Sequence, residues 1–523
     1  MIGKNLKRML CIVLACLMVL SMAACSNNES GKQPDNTQQV AEPNQSTIIV
    51  ALPSEPVGLV GSQVGTLVSN IPICNMCEGL ITVTPDGEYV PLLAESYEQV
   101  DEVTYRFHLK KGVKFHNGEE MKAEDVVYSL QQAALSPVVK HASAYIDPDG
   151  FEIEDDYTVL VRTLGPYSPI IACLSHSANS IVSKKAWEEG GEDFVRSPVG
   201  TGPFKFVSWT SGEQIEMERF DDYHGEQKAK SDKLIFRIMP EAASRVVELE
   251  TGGVDVIGDV PATDLLRLKE DTEKFTVYAK PGMRIYPFVM NQQSEFFADK
   301  TVRQAMRYAT DVDSMIAVVW EGAAAHVDTI MPPAVMCYSD NVTKYEYNVE
   351  KAKELLSQAG YPDGFTCRLV TSEASMNVQL SEMLQAQWAL VGVTVDITQS
   401  ENAAWLTQIG NLEFDVTMSP TNNSVGDPDA NFTKMFMSSN IGTSGNYAAY
   451  NNPEVDELIT MARATSVMEE RASIYEKAQQ IITDDAVWIP VGVPELQVVT
   501  RSCVKGFDLY ANNTQRYVNV YKE

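Results

Sequence analysis

Histidine is scarce: six in 523 residues, His108, His116, His141, His176, His224 and His326, and no two stand at metal-ligand spacing. Zinc-protease chemistry of the HExxH kind is therefore absent. No GxSxG elbow, phosphate loop or glycine-rich dinucleotide fingerprint occurs where a strand meets a helix, which removes the common nucleophile and nucleotide signatures. Basic residues are outnumbered 41 to 71, for a formal charge of −30, and nucleic acid is excluded as a partner. Carboxylates are so abundant that paired acids arise by number alone, so paired-acid hydrolysis is neither indicated nor removed by counting. Nine cysteines are too few to form the framework of a chain this long. Cys74-Asn75-Met76-Cys77 is the one close pair outside the first 25 residues. With no second pair to complete a metal site and no βαβ pattern around it, it reads as buried thiols or a local disulfide. No cofactor is implied.

What is present begins at the N-terminus. Lys4, Lys7 and Arg8 precede an unbroken apolar run over residues 9–20, 12 residues against the roughly 20 of a permanent membrane span, which predicts a secretory signal. The ending Leu20-Ser21-Met22-Ala23-Ala24-Cys25 resembles a bacterial lipobox, and the resemblance implies cleavage before Cys25 and a diacylglyceryl group on its thiol. Two acyl chains hold a protein on a membrane where one is marginal, since each buried CH₂ contributes about 0.8 kcal/mol. Residues 1–24 are then a lipoprotein signal peptide, and residues 25–46, almost without apolar side chains before Val40, are a lipidated cysteine and a flexible tether. Such a tether reaches roughly 25 Å. Losing three positive charges with the signal takes the formal charge from −30 to −33, so the body stands off the anionic surface to which its lipid holds it.

The remaining 499 residues exceed the roughly 250–300 at which a single core stops growing, so several lobes are expected. Residues 47–52 read as a buried strand, and 81–89 as a hairpin turned by Pro85-Asp86-Gly87. In 104–109 the strict alternation turns Tyr105, Phe107 and Leu109 inward and Arg106 and His108 outward. Residues 123–135 have helical spacing, 204–209 and 214–219 are strands, 241–250 is a helix closed by Gly252-Gly253, and 254–257 is a short strand. Residues 284–290 alternate as a strand. Helices are predicted over 299–308, 313–320, 349–359 with Asn348 as N-cap and Gly360 as C-cap, 375–390, 402–409, 453–464 and 468–483. Strands and helices alternate without an internal repeat, an α/β chain rather than a solenoid or propeller.

Several blocks, in order, carry a family resemblance. Asn75-Met76-Cys77-Glu78-Gly79-Leu80, Pro91-Leu92-Leu93-Ala94-Glu95-Ser96-Tyr97 and the run from Tyr105 to Gly118 are similar to the family 5 extracellular solute-binding proteins, the dipeptide-, oligopeptide- and nickel-binding components of ABC importers. So are the run from Ser197 to Phe204, Val302-Arg303-Gln304-Ala305-Met306-Arg307-Tyr308-Ala309, residues 352–362 and Asp427-Pro428-Asp429. The resemblance implies an α/β clamp like a periplasmic binding protein, two α/β lobes plus an extra lobe built from a discontinuous chain, with the ligand cleft between lobes. Residues 47–70, 181–282 and 495–523 would form lobe I, 71–180 lobe II and 283–494 lobe III. It implies binding without catalysis, a monomer, a peptide-like solute, ABC permease subunits as partners and a place on the outer face of the bacterial cytoplasmic membrane. A nickel chelate or another small non-peptide solute is the alternative cargo. From another class, an exported cell-surface hydrolase would need catalytic groups converging in the cleft. Within the matched blocks, Gly200 and Gly202 are expected to relieve backbone strain, Arg303 and Asp311 to form an ion pair, and Tyr105, Phe107 and Phe115 to be core.

In this family the cleft is lined by the segment after the first strand, here Ser54 and Glu55, by the strand ending in Asn291, and by the loop around Asp427. Arg284 and Tyr286 lie two apart on that strand and share a face, a guanidinium beside a ring that suits a carboxylate or planar group. Trp405 is either a pocket floor or a core tryptophan. Asn422, Asn423, Ser424, Asp427, Asp429 and Asn431 crowd one polar loop, explained by a turn or by a ligand. Dipeptide-binding relatives place an amine-pairing aspartate where this chain has Ser424. They also place an arginine for the peptide carboxylate in the stretch like 371–379, which here contains none. A serine does not supply the charge-assisted bond that a carboxylate gives an ammonium. The expectation moves from a free-ended dipeptide towards a modified peptide, a glutathione-like molecule or another small polar solute.

Overall fold

Thr47–Leu52 lies inside a 13-stranded sheet, parallel to Lys233–Ile238 from Thr47 opposite Lys233 to Leu52 opposite Ile238. The computed structural model in which it stands describes residues 46–443 and 445–523; the expectations placed on 1–45, with the signal, Cys25 and most of the tether, lie outside the described residues. The strand order is Thr394–Ser400, Thr366–Ser372, Val416–Met418, Arg284–Met290, Trp488–Arg501, Val256–Gly258, Thr47–Leu52, Lys233–Ile238, Gln214–Arg219 and Phe204–Thr210. Trp488–Arg501 joins the two halves. Its first residues pair with Arg284–Met290, and its later ones pair with Phe275–Pro281 up to Phe275 opposite Arg501. The chain therefore passes between the halves twice, near 281–284 and 493–495, on neighbouring antiparallel segments.

Each half buries its own core. Ile48, Phe204, Phe236 and Tyr517 pack together on one side; Phe288, Leu369 and Trp388 in one cluster, and Phe432, Tyr475 and Trp488 in another, pack on the other. A third core forms under a separate four-stranded sheet of Ala94–Gln99, Thr104–Leu109, Thr158–Thr163 and Ile146–Asp155, where Phe107, Phe115, Val126 and Leu130 meet. Each such fully buried side chain contributes about 1.5–3 kcal/mol. Val425, from the polar loop of the opposite half, also inserts into this third core.

The local signals act as expected. Asn348 accepts from Lys351 N at 2.9 Å and opens Val349–Gln358, while Gly360 takes φ +93 beyond its end. Asp299 and Asp311 cap Lys300–Tyr308 and Val312–Val319, and Gly252, φ +83, ends Ala242–Thr251. Two expectations are corrected. Arg303 makes no ion pair with Asp311; its guanidinium donates to the carbonyls of Phe297, Ala298 and Asp485, because burial leaves it backbone acceptors and no carboxylate. Gly200 and Gly202 have no positive φ. They are small because the chain from 75 to 77 passes too close: a Cβ on Gly200 would lie 2.2 Å from Met76 O, and one on Gly202 2.7 Å from Asn75 O. Cys74 and Cys77 stand as free thiols. Among the described residues no helix is long and apolar enough to cross a membrane.

Candidate functional site

Between the third core and the opposite half lies a cavity of about 380 Å³. One wall is the segment 140–146 with Tyr167, Ile170 and Cys173; the other is 421–425 with Asp429, Asn431, Thr433, Lys434 and Asn440. Its volume is in the range that encloses small ligands. The first wall is fixed by Ser143, whose hydroxyl donates to Ala133 O and Val139 O, and by the rings of Tyr145 and Tyr167, stacked 4.1 Å apart.

The second wall is a loop pinned by its own polar side chains. Asn423 Nδ2 donates to Asp427 O at 2.7 Å, and its Oδ1 accepts from Gly426 N at 2.8 Å. Gly426 must be glycine: its φ is +83 and a Cβ would meet the Tyr89 hydroxyl at 2.5 Å. That hydroxyl, from the hairpin of Ile81–Val83 and Tyr89–Pro91, donates to Val425 O at 2.7 Å. Behind the loop Asp427 accepts both terminal nitrogens of Arg471, at 2.5 and 2.7 Å, and accepts Asp429 N as well. Asp429 opens Asp429–Phe436 and accepts Arg463 Nε at 3.0 Å. Burial pushes the Asp429 carboxyl up, and the charge of Arg463 opposes it. Arg463 in turn sits 5.0 Å from the Tyr145 ring, and its carbonyl accepts Ser168 N at 2.8 Å, so the walls are stitched beside the cavity. Burial, followed by the charge of Lys434 across the cavity, lowers His141.

Of the residues expected at the site, Ser424 and Asp429 line this cavity, and Asp427 lies one layer behind with Arg471. Arg284 is exposed, its guanidinium 5.2 Å from the Tyr286 ring, and it pairs in register with Asn422 of the cavity wall. Tyr286 itself is buried edge-on against Trp320. The others stand elsewhere. Asn291 donates to Leu412 O and Phe414 O and accepts Gln293 N, a clip on the far end of its strand. Trp405 packs with Val370, Ile409 and Phe414 and donates to Thr417 Oγ1 at 3.1 Å, the core alternative of the two. Ser54 is exposed on the other half, and Glu55 accepts Trp209 Nε1 at 3.0 Å. Lys140, His141, Tyr145 and Lys434 line the cavity without having been singled out by the sequence, because no motif or spacing marks them. Among the described residues no group of three or more His, Cys, Asp or Glu is placed to hold a metal ion.

A family model, "Bacterial extracellular solute-binding proteins, family 5 Middle", matches residues 88–443. The chain is 32% identical over 482 residues to the dipeptide-binding protein of Escherichia coli strain K12, covering 86% of this chain and 89% of that one. It is 30% identical over 506 residues to heme-binding protein A of Haemophilus influenzae, covering 90% and 91%. The solved structure of the periplasmic binding protein DppA from Helicobacter pylori, in complex with peptide STSA, superposes with a TM-score of 0.74 at 29% identity over 91% of this chain and 98% of that one. The likeness gives the two-bodied sheet its meaning as a clamp, and the role of the chain is binding rather than catalysis. This chain belongs to the family 5 extracellular solute-binding proteins of bacterial ABC transporters.

Proposed function

We propose that the chain captures a peptide-like solute in the cavity between 140–173 and 421–440 and hands it to an ABC permease at the outer face of the cytoplasmic membrane, held there by lipid on Cys25. The observation that carries the reading is the loop 421–429, whose backbone is fixed by Asn423, Asp427 and Arg471 while Ser424 is left on the cavity surface. Lobes I, II and III, with the boundaries expected from the sequence, turn about the paired segments near 281–284 and 493–495. A solute touching both walls favours the closed form, and closure is what a permease reads. With serine in place of an aspartate at 424, the solute is not held by a free terminal amine at that position.

Native mass spectrometry of the protein purified from its own host without denaturation tests this directly. A peptide-like molecule released from the folded protein supports the reading; a non-peptide solute overturns the cargo and keeps the importer.

Two substitutions test its parts. Arg284→Ala is expected to cost more than about 1.5 kcal/mol of solute affinity, over tenfold, if the guanidinium holds a carboxylate. Isothermal titration reads this, and an unchanged affinity removes Arg284 from the site. Cys25→Ala is expected to release the protein into the medium or leave its precursor uncleaved. Membrane retention with a mature N-terminus would overturn the lipid anchor.

A further inference from the structure

We propose that the cavity selects an acidic solute, gripped between Lys140 on one wall and Lys434 on the other. The inference rests on the cavity being the solute site. Four ionisable side chains other than tyrosine and cysteine line it: Lys140, His141, Asp429 and Lys434. The charge of Asp429 is answered inside the protein by Arg463, 3.0 Å away. Lys140 and Lys434 line the cavity, and neither ammonium group makes a hydrogen bond or ion pair among the described residues. That is notable in a chain with 71 acidic residues for 41 basic ones, where a lysine has many carboxylates to choose from. The cavity is therefore a positive niche on a strongly negative molecule.

Lys434 is also placed, not loose. A Cβ on Gly445 would fall 2.5 Å from its Cγ and 2.9 Å from its Cε, so only glycine there leaves room for the stem to lie against the backbone. Its charge reaches His141 on the facing wall and contributes to holding that ring neutral.

The arrangement offers an anionic solute one ammonium on each wall. Closure brings Lys140 towards Lys434, and like charges oppose it. A solute with two carboxylates reverses the sign, because each ammonium then meets an anion and the solute bridges the walls. A neutral peptide supplies no such bridge, and a cationic one is repelled. The stacked rings of Tyr145 and Tyr167, with Ile170, offer the remaining surface to an apolar or planar part of the same molecule.

Calorimetric titration of the purified protein at low ionic strength with triglutamate, trialanine and trilysine tests the selection. Triglutamate is expected to bind at least about tenfold tighter than trialanine, and trilysine not at all. Lys434→Glu and Lys140→Glu are each expected to lower triglutamate affinity by about tenfold or more, with thermal midpoints close to the parent because both side chains are exposed. Equal binding of trialanine or trilysine, no binding of triglutamate, or indifference to both substitutions overturns the inference. Its failure is separable from failure of the cavity itself. If trialanine binds equally well and Ser424→Trp abolishes that binding, the cavity remains the solute site without charge selection. If Ser424→Trp leaves the binding of every retained or added solute unchanged, the cavity is not the site.

Discussion

Replacing Arg471 by methionine is expected to destabilise the protein by about 3–5 kcal/mol, the usual cost of stranding one member of a buried ion pair. Arg471 and Asp427 are each only 2% exposed and meet through two parallel bonds of 2.5 and 2.7 Å. Arg471 Nε is spent on Ala462 O at 3.0 Å, so the guanidinium also ties Met468–Asp484 to Pro453–Ala464. Without it, the Asp427 carboxylate has no counter-ion and little access to water, and must take up a proton or drag the loop outward. Because Asp427 anchors the loop bearing Ser424 and Asp429, solute affinity is expected to fall with stability. Urea unfolding of Arg471→Met against the parent measures the first effect, and titration with the retained solute the second. The pair Arg471→Met with Asp427→Leu is expected to recover part of the loss, since two apolar groups leave no charge unanswered. A single-substitution loss below about 1 kcal/mol would mean that water reaches the carboxylate.

The same pair shows where the sequence is legible and where it is not. Elements signalled by near neighbours are readable: Asn348 and Gly360 bracket Val349–Gln358, and Pro85-Asp86-Gly87 turns the chain from Ile81–Val83 to Tyr89–Pro91. Thr47–Leu52 and Pro453–Ala464 have the ends that their apolar spacing predicts. Ala94–Gln99 is a strand without a strand pattern, because only Ala94 is buried and its other residues lie at the rim of their sheet. Trp488–Arg501 gives no hint in sequence that it serves two cores, since burial along most of its length erases alternation. At the site, Asp427 and Asp429 are visible as a polar loop, but their partners stand 44 and 34 residues away and nothing in the spacing assigns them. Lys140 and Lys434 stand 294 residues apart and become neighbours of one cavity only through the fold. The corrected pairing of Arg303 has the same root. Sequence offers Asp311 as the obvious anion, whereas burial puts carbonyls around the guanidinium.

Acidification is expected to remove stability between pH 6.5 and 4, on the order of 5 kcal/mol in total, through two buried histidines that stay neutral in the fold. Burial, with His141 nearby, pushes His176 down to about 3, and burial pushes His116 down to about 4. The hydrogen bonds agree: His176 Nδ1 accepts Ala178 N at 3.1 Å, and His116 Nδ1 accepts Gly200 N at 3.4 Å while its Nε2 donates to Gly202 O at 3.0 Å. A nitrogen that accepts holds a lone pair, so neither ring is protonated. Unfolded, both histidines titrate near 6.5, so below that pH the unfolded chain binds more protons than the folded one, and stability falls as pH falls until the folded values are reached. His326 has the opposite sign. Its bonds to Asp328 and Asp313 raise it to about 9, so what it adds is present below 6.5 and lost as pH rises towards 9. At 42% exposure its contribution is small. Thermal midpoints from pH 4 to 8 are expected to climb steeply up to about 6.5 and then level. In His116→Asn and His176→Gln the climb is expected to flatten, each by about half. A steep climb that persists in both variants would overturn the assignment of the acid sensitivity to His116 and His176.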